Sequence, residues 1–429
     1  AGHRPEPDDL DRFTAPWFDH VASFTDALDH DDPATAQEYD LAAVVRYGRT
    51  AIDGLRTDDP VVARGIEMLD QRAGSEFTRF DGNLSGVDLS ALDQELSATR
   101  LEKWVSCPFA FFAEYVLGVR PLEEPSERTD LAPLIRGSIV HRVLERLITE
   151  GLHDGSLPGA GDPWTSNQRT HAGMLLTEEC DHAEARGEAA HPRFWPTIRS
   201  RLAVELDDFL VIDSAFRARL ASCPIAAEKR FGGADALVVA LADGRSLRFR
   251  GSIDRVDLTT DDDLVVVDTK TGNPDRYKNI SDDHFPGGSF LQLPIYALAA
   301  ATDGRTTRHA TYAFLGEVAD GERHLGYEID DEVTAAFQRV LASIAGGIDS
   351  GSFPHHPPEN DRPEAHRCPH CSPDGLDARR VRAARSRKAV DPVLSLHEEH
   401  LATDFFTEVE LETTTELEPT VGGDMEGGR

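Results

Sequence analysis

The sequence predicts an α/β protein: a mixed β-sheet core flanked by helices, preceded by a helical N-terminal extension. Two observations predict it. Up to about residue 220 the apolar residues recur at helical spacing, and from Ile225 they shift to short alternating runs. The order is then strands, a helix, a strand and a further helix, and this order after a block of leading helices indicates a mixed sheet.

Taken in turn, residues 1–95 read as a helical, acidic extension, with helix-like spacing in Leu41-Ala-Ala-Val-Val-Arg-Tyr and Val61-Val-Ala-Arg-Gly-Ile-Glu-Met-Leu. Ser97 is a good N-cap, followed by Leu101, Trp104 and Val105 on one helical face, then Phe109, Phe111, Phe112 and Tyr115. A charged stretch (123–130) precedes a second helix over about 132–150. There Gly137, His141 and Glu145 recur in four-residue steps and fall near one face. Residues 151–170 read as a Gly/Pro-rich loop and 172–220 as helical. Strands are predicted at Ile225–Phe231, Ala236–Leu241, Ser246–Leu258 and Leu264–Thr269, with Asp243-Gly244 as a hairpin turn. A helix over Leu291–Ala301, a strand over Ala310–Leu315 and a helix over 331–348 follow. The main domain is therefore expected over 96–390, and 391–429, acidic and Thr-rich, is expected to be a disordered tail.

Composition narrows the function classes. The formal net charge is −33, from 77 acidic and 44 basic residues, and only five of the basic residues are lysines: Lys103, Lys229, Lys270, Lys278 and Lys388. An acidic, lysine-poor chain fits a salt-rich cytosol, and a halophilic source is expected. An ordinary acidic protein remains the plainer alternative, because function follows local clusters rather than net charge. No run of about 18 apolar residues exists, so no membrane span is expected. The N-terminus has no apolar core, and the five unevenly spaced cysteines do not resemble a disulfide framework; a cytoplasmic location is expected. The chain does not begin with Met and is expected to be processed or cut from a longer protein. No G-x-x-x-x-G-K-[ST] occurs, so no ATP site is expected in this chain.

The chemistry concentrates in Gly251-Ser-Ile-Asp254-Arg-Val-Asp257 and Asp268-Thr-Lys270. The short turn Thr259–Asp263 makes their strands antiparallel neighbours, and period-two geometry puts Asp268 and Lys270 on one face. Carboxylate oxygens suit Mg²⁺ or Mn²⁺, which lower the pKa of a bound water and neutralise charge on a scissile phosphate. Lys270 would orient or deprotonate that water, or stabilise the transition state. In a chain that prefers Arg so strongly, a Lys beside two Asp points to a role for a compact, tunable ammonium. Taken alone, this motif is also what a solvated surface hairpin would show. His141 upstream, with Gly137 allowing close approach, and Gln292 and Tyr296 four apart downstream favour a site.

With Leu96-Ser-Ala-Thr-Arg-Leu-Glu, Cys107-Pro-Phe, Gly137-Ser-Ile-Val-His141, the two acidic motifs and Gln292-Leu-Pro-Ile-Tyr296 in this order, residues 96–380 resemble a RecB-family nuclease of the PD-(D/E)XK superfamily. The similarity is greatest to the C-terminal nuclease domain of AddB-type helicase–nuclease subunits. The resemblance implies a restriction-endonuclease-like sheet core. It implies that His141, Asp254 and Asp268 hold the metal, that Lys270 is catalytic, and that Gln292 and Tyr296 position the strand or the lysine. Glu228 matches an acidic position on the first strand; an exposed strand Glu is the alternative. Residues 1–95 would be the tail of a helicase-like region.

In this family one Cys before the core and three after it hold a 4Fe-4S cluster. Cys107, Cys368 and Cys371 match three of them, and the fourth position falls near Asp377. Asp377 or a nearby His (His366, His370) completing a cluster, zinc, or no metal all remain open. Cys180 and Cys223 lie off the pattern and read as buried, inert thiols. For DNA, the densest basic segment is Arg379, Arg380, Arg382, Arg385, Arg387 and Lys388; an exposed amphipathic helix is its equal alternative. The implied activity is metal-dependent DNA hydrolysis, as an exonuclease rather than an endonuclease. It would act on single strands or DNA ends in double-strand break processing and recombinational repair, with a helicase subunit or domain as partner. Two rivals are a stand-alone CRISPR-adaptation-type nuclease, which is usually shorter and lacks such an extension, and a non-catalytic DNA-end-binding scaffold. A scaffold has no need to retain Asp254, Asp268, Lys270 and His141 together.

Overall fold

The computed structural model describes residues 35–48, 50–51, 54, 60–120, 131–301, 304–316, 323–356, 370 and 378–406. The chain divides into two compact units, one of residues 1–81 with 383–391, the other of 82–382 with 392–429. Residues 82–95, grouped with the extension by composition, thus belong to the second unit, where Leu84, Leu89, Ala91 and Leu92 pack on its core.

In the first unit, α1 spans Ala36–Tyr47 and α2 spans Pro60–Ala73. Thr35 caps α1 by accepting the Glu38 N–H at 3.1 Å, which satisfies one of the donors that every helix start leaves open.

The second unit opens with α3 (Ala98–Ser106), capped at Ser97 as its sequence predicts. A short helical turn (Pro108–Phe111) and a π-turn (Phe112–Val116) follow. Next come α4 (Pro133–Asp154), α5 (Ser166–Ala185) and α6 (Trp195–Leu220). The region read as one helical stretch over 172–220 is therefore two helices. α5 begins earlier than expected because Thr165 and Gln168 form a reciprocal capping box.

The strands are β1 (Ser222–Phe231), β2 (Leu237–Ala240), β3 (Ser246–Phe249), β4 (Gly251–Thr259) and β5 (Leu264–Lys270). Then come α7 (Gln292–Ala300), β6 (Thr307–Phe314), β7 (His324–Glu328), α8 (Asp331–Asp349), α9 (Ala378–Lys388) and α10 (Pro392–Ala402). The main sheet has five strands in the order β1-β4-β5-β6-β7, and β2–β3 form a separate hairpin. Only β5–β6 is parallel, joined by the crossover through α7; the other neighbours are antiparallel. This is the mixed sheet expected.

Three further elements depart from expectation. The run read as one strand over Ser246–Leu258 is two, because the chain changes sheets at Arg250. Leu96 N–H donates to Arg248 O and Arg250 N–H to Leu96 O, so β3 ends against the Leu96 segment and β4 starts afresh on β1. β7 was missed; His-Leu-Gly-Tyr-Glu has too few apolar residues to announce a strand. The tail expected from 391 instead forms α10, which buries Leu394, His397 and His400, with Phe405 just beyond. Residues 407–429 lie outside the described residues.

The sheet is buried on both faces. Leu264 and Val266 of β5 pack in a core with α3, α7 and α8, while Val265 and Val267 pack in a second core with α4, α5 and α6. Continuous burial along β5 follows from this three-layer arrangement. Trp104 of α3 sits fully buried in the first core and donates its indole N–H to Ser352 O at 3.0 Å. A Cβ on Gly347 of α8 would lie 2.2 Å from that ring, so only glycine fits there.

Candidate metal centre and its lysine

The site lies where β4 and β5 part. Their ladder pairs run from Leu258–Leu264 to Arg255–Val267. Beyond that, the Thr269 N–H donates to Asp254 Oδ2 at 2.7 Å, so a side-chain carboxylate takes up a donor at the end of the ladder. The other oxygen, Asp254 Oδ1, faces His141 Nδ1 at 3.4 Å, brought by α4. Glu228 comes from β1, with Oε1 3.8 Å from the same Nδ1 and Oε2 accepting the Ser252 hydroxyl at 2.7 Å. One ligand atom from each of His141, Glu228 and Asp254 falls within 4.8 Å of the others.

Glu228 reaches this position through irregular backbone. β1 slips register between Pro224 and Ala226, and Glu228 itself has φ +46°. Such a conformation is uncommon for a non-glycine residue and is maintained only where the surroundings impose it. The structure thus assembles His141 with Asp254 and Glu228, whereas the sequence grouped His141 with Asp254 and Asp268.

Asp268 is turned to the lysine. It is buried, and its Oδ2 lies 2.6 Å from Lys270 Nζ, which also donates to Gln292 Oε1 at 2.7 Å. The same-face placement of Asp268 and Lys270 follows from strand alternation. Lys270 Nζ also sits over the Tyr312 ring, 5.1 Å from its centroid. Gln292 is the first residue of α7, and that helix start is held from outside: Glu102 Oε1 accepts the Leu291 N–H at 2.7 Å. Sequence reasoning missed Glu102, although the Leu96–Glu102 motif contains it.

Tyr296, one turn after Gln292, packs edge-on against Phe231 with ring centroids 6.0 Å apart. Gly251 makes room for this pair: a Cβ there would lie 2.8 Å from the Phe231 ring and 3.2 Å from Tyr296. Gly137 has no comparable function. A Cβ at that position meets only Thr271 Oγ1, at 3.7 Å, an ordinary contact. The expectation that Gly137 is needed for close approach is corrected on that ground. The neighbouring Arg136 ties α4 to the end of β5 instead, donating to Thr271 O and to Glu205 Oε2.

The electrostatics follow from burial and neighbours. Burial disfavours a charged His141, yet Asp254 and Glu228 more than offset it and push the imidazole up to about 10. His141 holds the same carboxyl of Glu228 below its usual range. Burial pushes Asp268 up to about 6, against the pull of Lys270. Burial likewise works against the Lys270 charge, but Asp268 raises its pKa overall, so Lys270 is an ammonium at neutral pH. Burial raises Tyr296, which stays a neutral phenol.

Arg255 and Asp257, the rest of the first acidic motif, face the other core. Arg255 Nη2 donates to Asp213 Oδ1 at 2.8 Å, and its Nε lies 2.9 Å from Asp257 Oδ1. Asp213 Oδ2 also accepts from Trp164 Nε1 at 2.8 Å and Arg217 Nε at 3.1 Å. This buried knot pins the residue after Asp254 to α6.

Cys368, Cys371, Asp377 and His366 lie outside the described residues. Cys107 is half-buried at the joint between α3 and the following helical turn, and His370 Nε2 lies 3.8 Å from Glu114 Oε2. Cys180 is buried and Cys223 half-buried, and burial raises both thiols, as inert cysteines require. In the basic segment, Arg379, Arg380 and Arg387 are exposed, and Arg382 and Arg385 half-buried. Lys388 is corrected as a DNA contact: it is 1% exposed, and its ammonium donates to Gln71 O, Glu76 O and Asp81 Oδ2 within the first unit. An ammonium has three donors, and all three are taken.

The chain is 30% identical over 217 residues to an ATP-dependent helicase/deoxyribonuclease subunit of Acetivibrio thermocellus, covering 48% of this chain and 18% of that protein. It is 30% identical over 268 residues to the protein of the same name from Symbiobacterium thermophilum, covering 57% and 21%. It is 29% identical over 210 residues to that of Ruminiclostridium cellulolyticum, covering 47% and 17%. The chain spans about a fifth of the length of these curated relatives. The family model described as PD-(D/E)XK nuclease superfamily matches residues 95–374. A match over well more than half of the chain, across the residues that build the sheet and its polar centre, makes this chain a member of the PD-(D/E)XK nuclease superfamily.

Proposed function

We propose that this chain is a divalent-metal-dependent deoxyribonuclease of the AddB type, hydrolysing phosphodiester bonds at DNA ends during double-strand break processing. The observation that carries the reading is the convergence of His141, Glu228 and Asp254 beside the Lys270–Asp268 pair. One imidazole nitrogen with two carboxylates is a donor set that Mn²⁺ accepts readily and Mg²⁺ tolerates. Such an ion, when bound, would supply Lewis acidity and a nucleophilic water at neutral pH.

The chain's own residues do the rest. His141 must give up its proton to offer a nitrogen lone pair, so metal binding releases a proton here. Asp254, tied to the Thr269 N–H through one oxygen, has its second oxygen oriented toward the centre. Lys270 is charged and held between Asp268 and Gln292. This favours hydrogen-bond donation to a water or a phosphate oxygen over proton abstraction. Tyr296, a neutral phenol, is available as a further donor. A helicase partner is proposed from the names of the relatives, together with single strands or ends as substrate and an exonucleolytic mode. A salt-adapted cytoplasmic protein and an iron–sulfur cluster involving Cys107 belong to the same reading.

The test is cleavage of end-labelled single- and double-stranded DNA with Mg²⁺ or Mn²⁺ over a salt series. Lys270→Ala and Asp254→Asn should each lose at least about a hundredfold in rate. Undiminished cleavage by both variants would refute the assignment of the centre. Tight end binding without cleavage by the wild type would instead favour the scaffold.

A further inference from the structure

A protein of net charge −33 must present cations where a polyanion approaches. The lysines are already engaged. Lys103 pairs with Glu114, Lys229 donates to Ala300 O, Lys270 pairs with Asp268, Lys278 with Asp275, and Lys388 with Asp81. Many arginines of the second unit are likewise paired, Arg136, Arg146 and Arg169 among them.

Arg276 differs. It is exposed, follows β5 by a short loop, and makes no ion pair among the described residues. Its guanidinium lies over two rings, 4.9 Å from the Tyr277 centroid and 5.1 Å from that of Phe290. Tyr277 packs in turn on Phe290 at 4.7 Å and on Tyr312 at 4.8 Å. Tyr312 is the ring beneath Lys270 Nζ. One continuous cluster of mutually tilted rings therefore carries two cations, the lysine of the candidate centre and an exposed arginine. Both act on the same carboxyl, Glu102, opposing the effect of its burial.

An independent feature marks this ring cluster. Phe290 has φ +61°, a genuine outlier for a bulky side chain. Strain of this kind collects where geometry serves function. Here it places the ring under Arg276 immediately before Leu291 and Gln292.

We infer that Arg276, seated on Tyr277 and Phe290, is a phosphate-binding subsite for the substrate strand, contacting a backbone phosphate other than the one being cleaved. The guanidinium over the two rings is held in place before binding, and its N–H groups, which make no ion pair among the described residues, can form a two-point contact with phosphate oxygens. This inference rests on the nuclease reading. It deepens that reading by naming a strand contact outside the metal centre, and it places that contact at the sheet rather than on the arginine-rich α9.

The test is fluorescence anisotropy of a labelled single-stranded oligonucleotide in EDTA across a salt series, with cleavage in Mn²⁺ measured in parallel. Arg276→Ala should bind about tenfold more weakly, and the slope of log K against log salt should shrink by about 0.7, the value for one lost phosphate contact on a single strand. Arg276→Lys should keep the slope while losing part of the affinity, because the charge remains and the planar fork does not. Arg379→Ala with Arg380→Ala should leave the slope unchanged. An unchanged slope in Arg276→Ala, with wild-type binding intact, would overturn the subsite and leave the nuclease reading standing. A wild type that neither binds nor cleaves would overturn both.

Discussion

Removal of the Asp213 side chain should cost this fold heavily. It is fully buried, and four groups converge on its carboxylate: Arg255 at 2.8 Å, Trp164 Nε1 at 2.8 Å, Arg217 Nε at 3.1 Å and His324 Nε2 at 3.4 Å. Burial raises its pKa, but Arg255 and His324 reverse this and hold it well below the usual carboxylate range. Asp213→Ala would leave Arg255 with Asp257 alone. Arg217, 0% exposed and with neither Nη hydrogen-bonded among the described residues, would keep the face of Trp164. Breaking one member of a buried ion network costs about 3–5 kcal/mol, because the remaining charge is uncompensated. That is a large part of a net stability of roughly 5–15 kcal/mol. Asp213→Asn, which keeps an acceptor but not the charge, should lose less. Urea unfolding by circular dichroism measures both. A loss under about 1 kcal/mol in Asp213→Ala would refute the argument that this carboxylate neutralises the two arginines.

Three further outcomes are expected. Gly251→Ala should displace Tyr296 or Phe231, because its Cβ would meet both rings. DNA cleavage should therefore fall severalfold while thermal stability drops by only about 1–2 kcal/mol, and cleavage kinetics beside calorimetry would show the split. Glu102→Ala should cost about 1–3 kcal/mol by leaving the Leu291 N–H unsatisfied. Glu102→Gln should retain most of that stability, and equal losses in the two unfolding curves would exclude the capping argument. Burial lowers His400 to about 4, and His309 is lowered to about 4 by burial and by Arg219. A histidine with a depressed folded pKa stabilises fully above its unfolded value near 6.5 and loses that contribution as pH falls toward 4. His400, 1% exposed, accounts for about 3 kcal/mol of such loss. Urea midpoints measured between pH 7 and 4 should fall accordingly, and His400→Gln should flatten the profile.

Local pattern settled a good deal. The apolar run Leu264-Val-Val-Val identified β5, and Asp268 and Lys270 fall on one face because side chains in a strand alternate regardless of tertiary context. The short turn Thr259–Asp263 made β4 and β5 antiparallel, and Ser97 marked a helix start that needs no distant partner. His141, Gln292 and Tyr296 were legible as helical positions, and two of them meet the acidic motifs directly.

Tertiary structure decided the rest, wherever a contact depends on a register slip or on residues far apart in sequence. Glu228 entered the centre because β1 slips at Pro224/Ala226 and its backbone turns to positive φ. Alternation cannot show a bulge, and a one-residue slip changes which face a side chain takes. Asp268 turned to Lys270 because the buried ammonium needed a counter-charge. Lys388, read as part of a DNA-binding cluster, closes on backbone carbonyls more than 300 residues away in the chain. Sequence by itself determined which groups could do the chemistry; packing determined which of them face one another, because only the folded chain fixes the distances on which charge and hydrogen bonding depend.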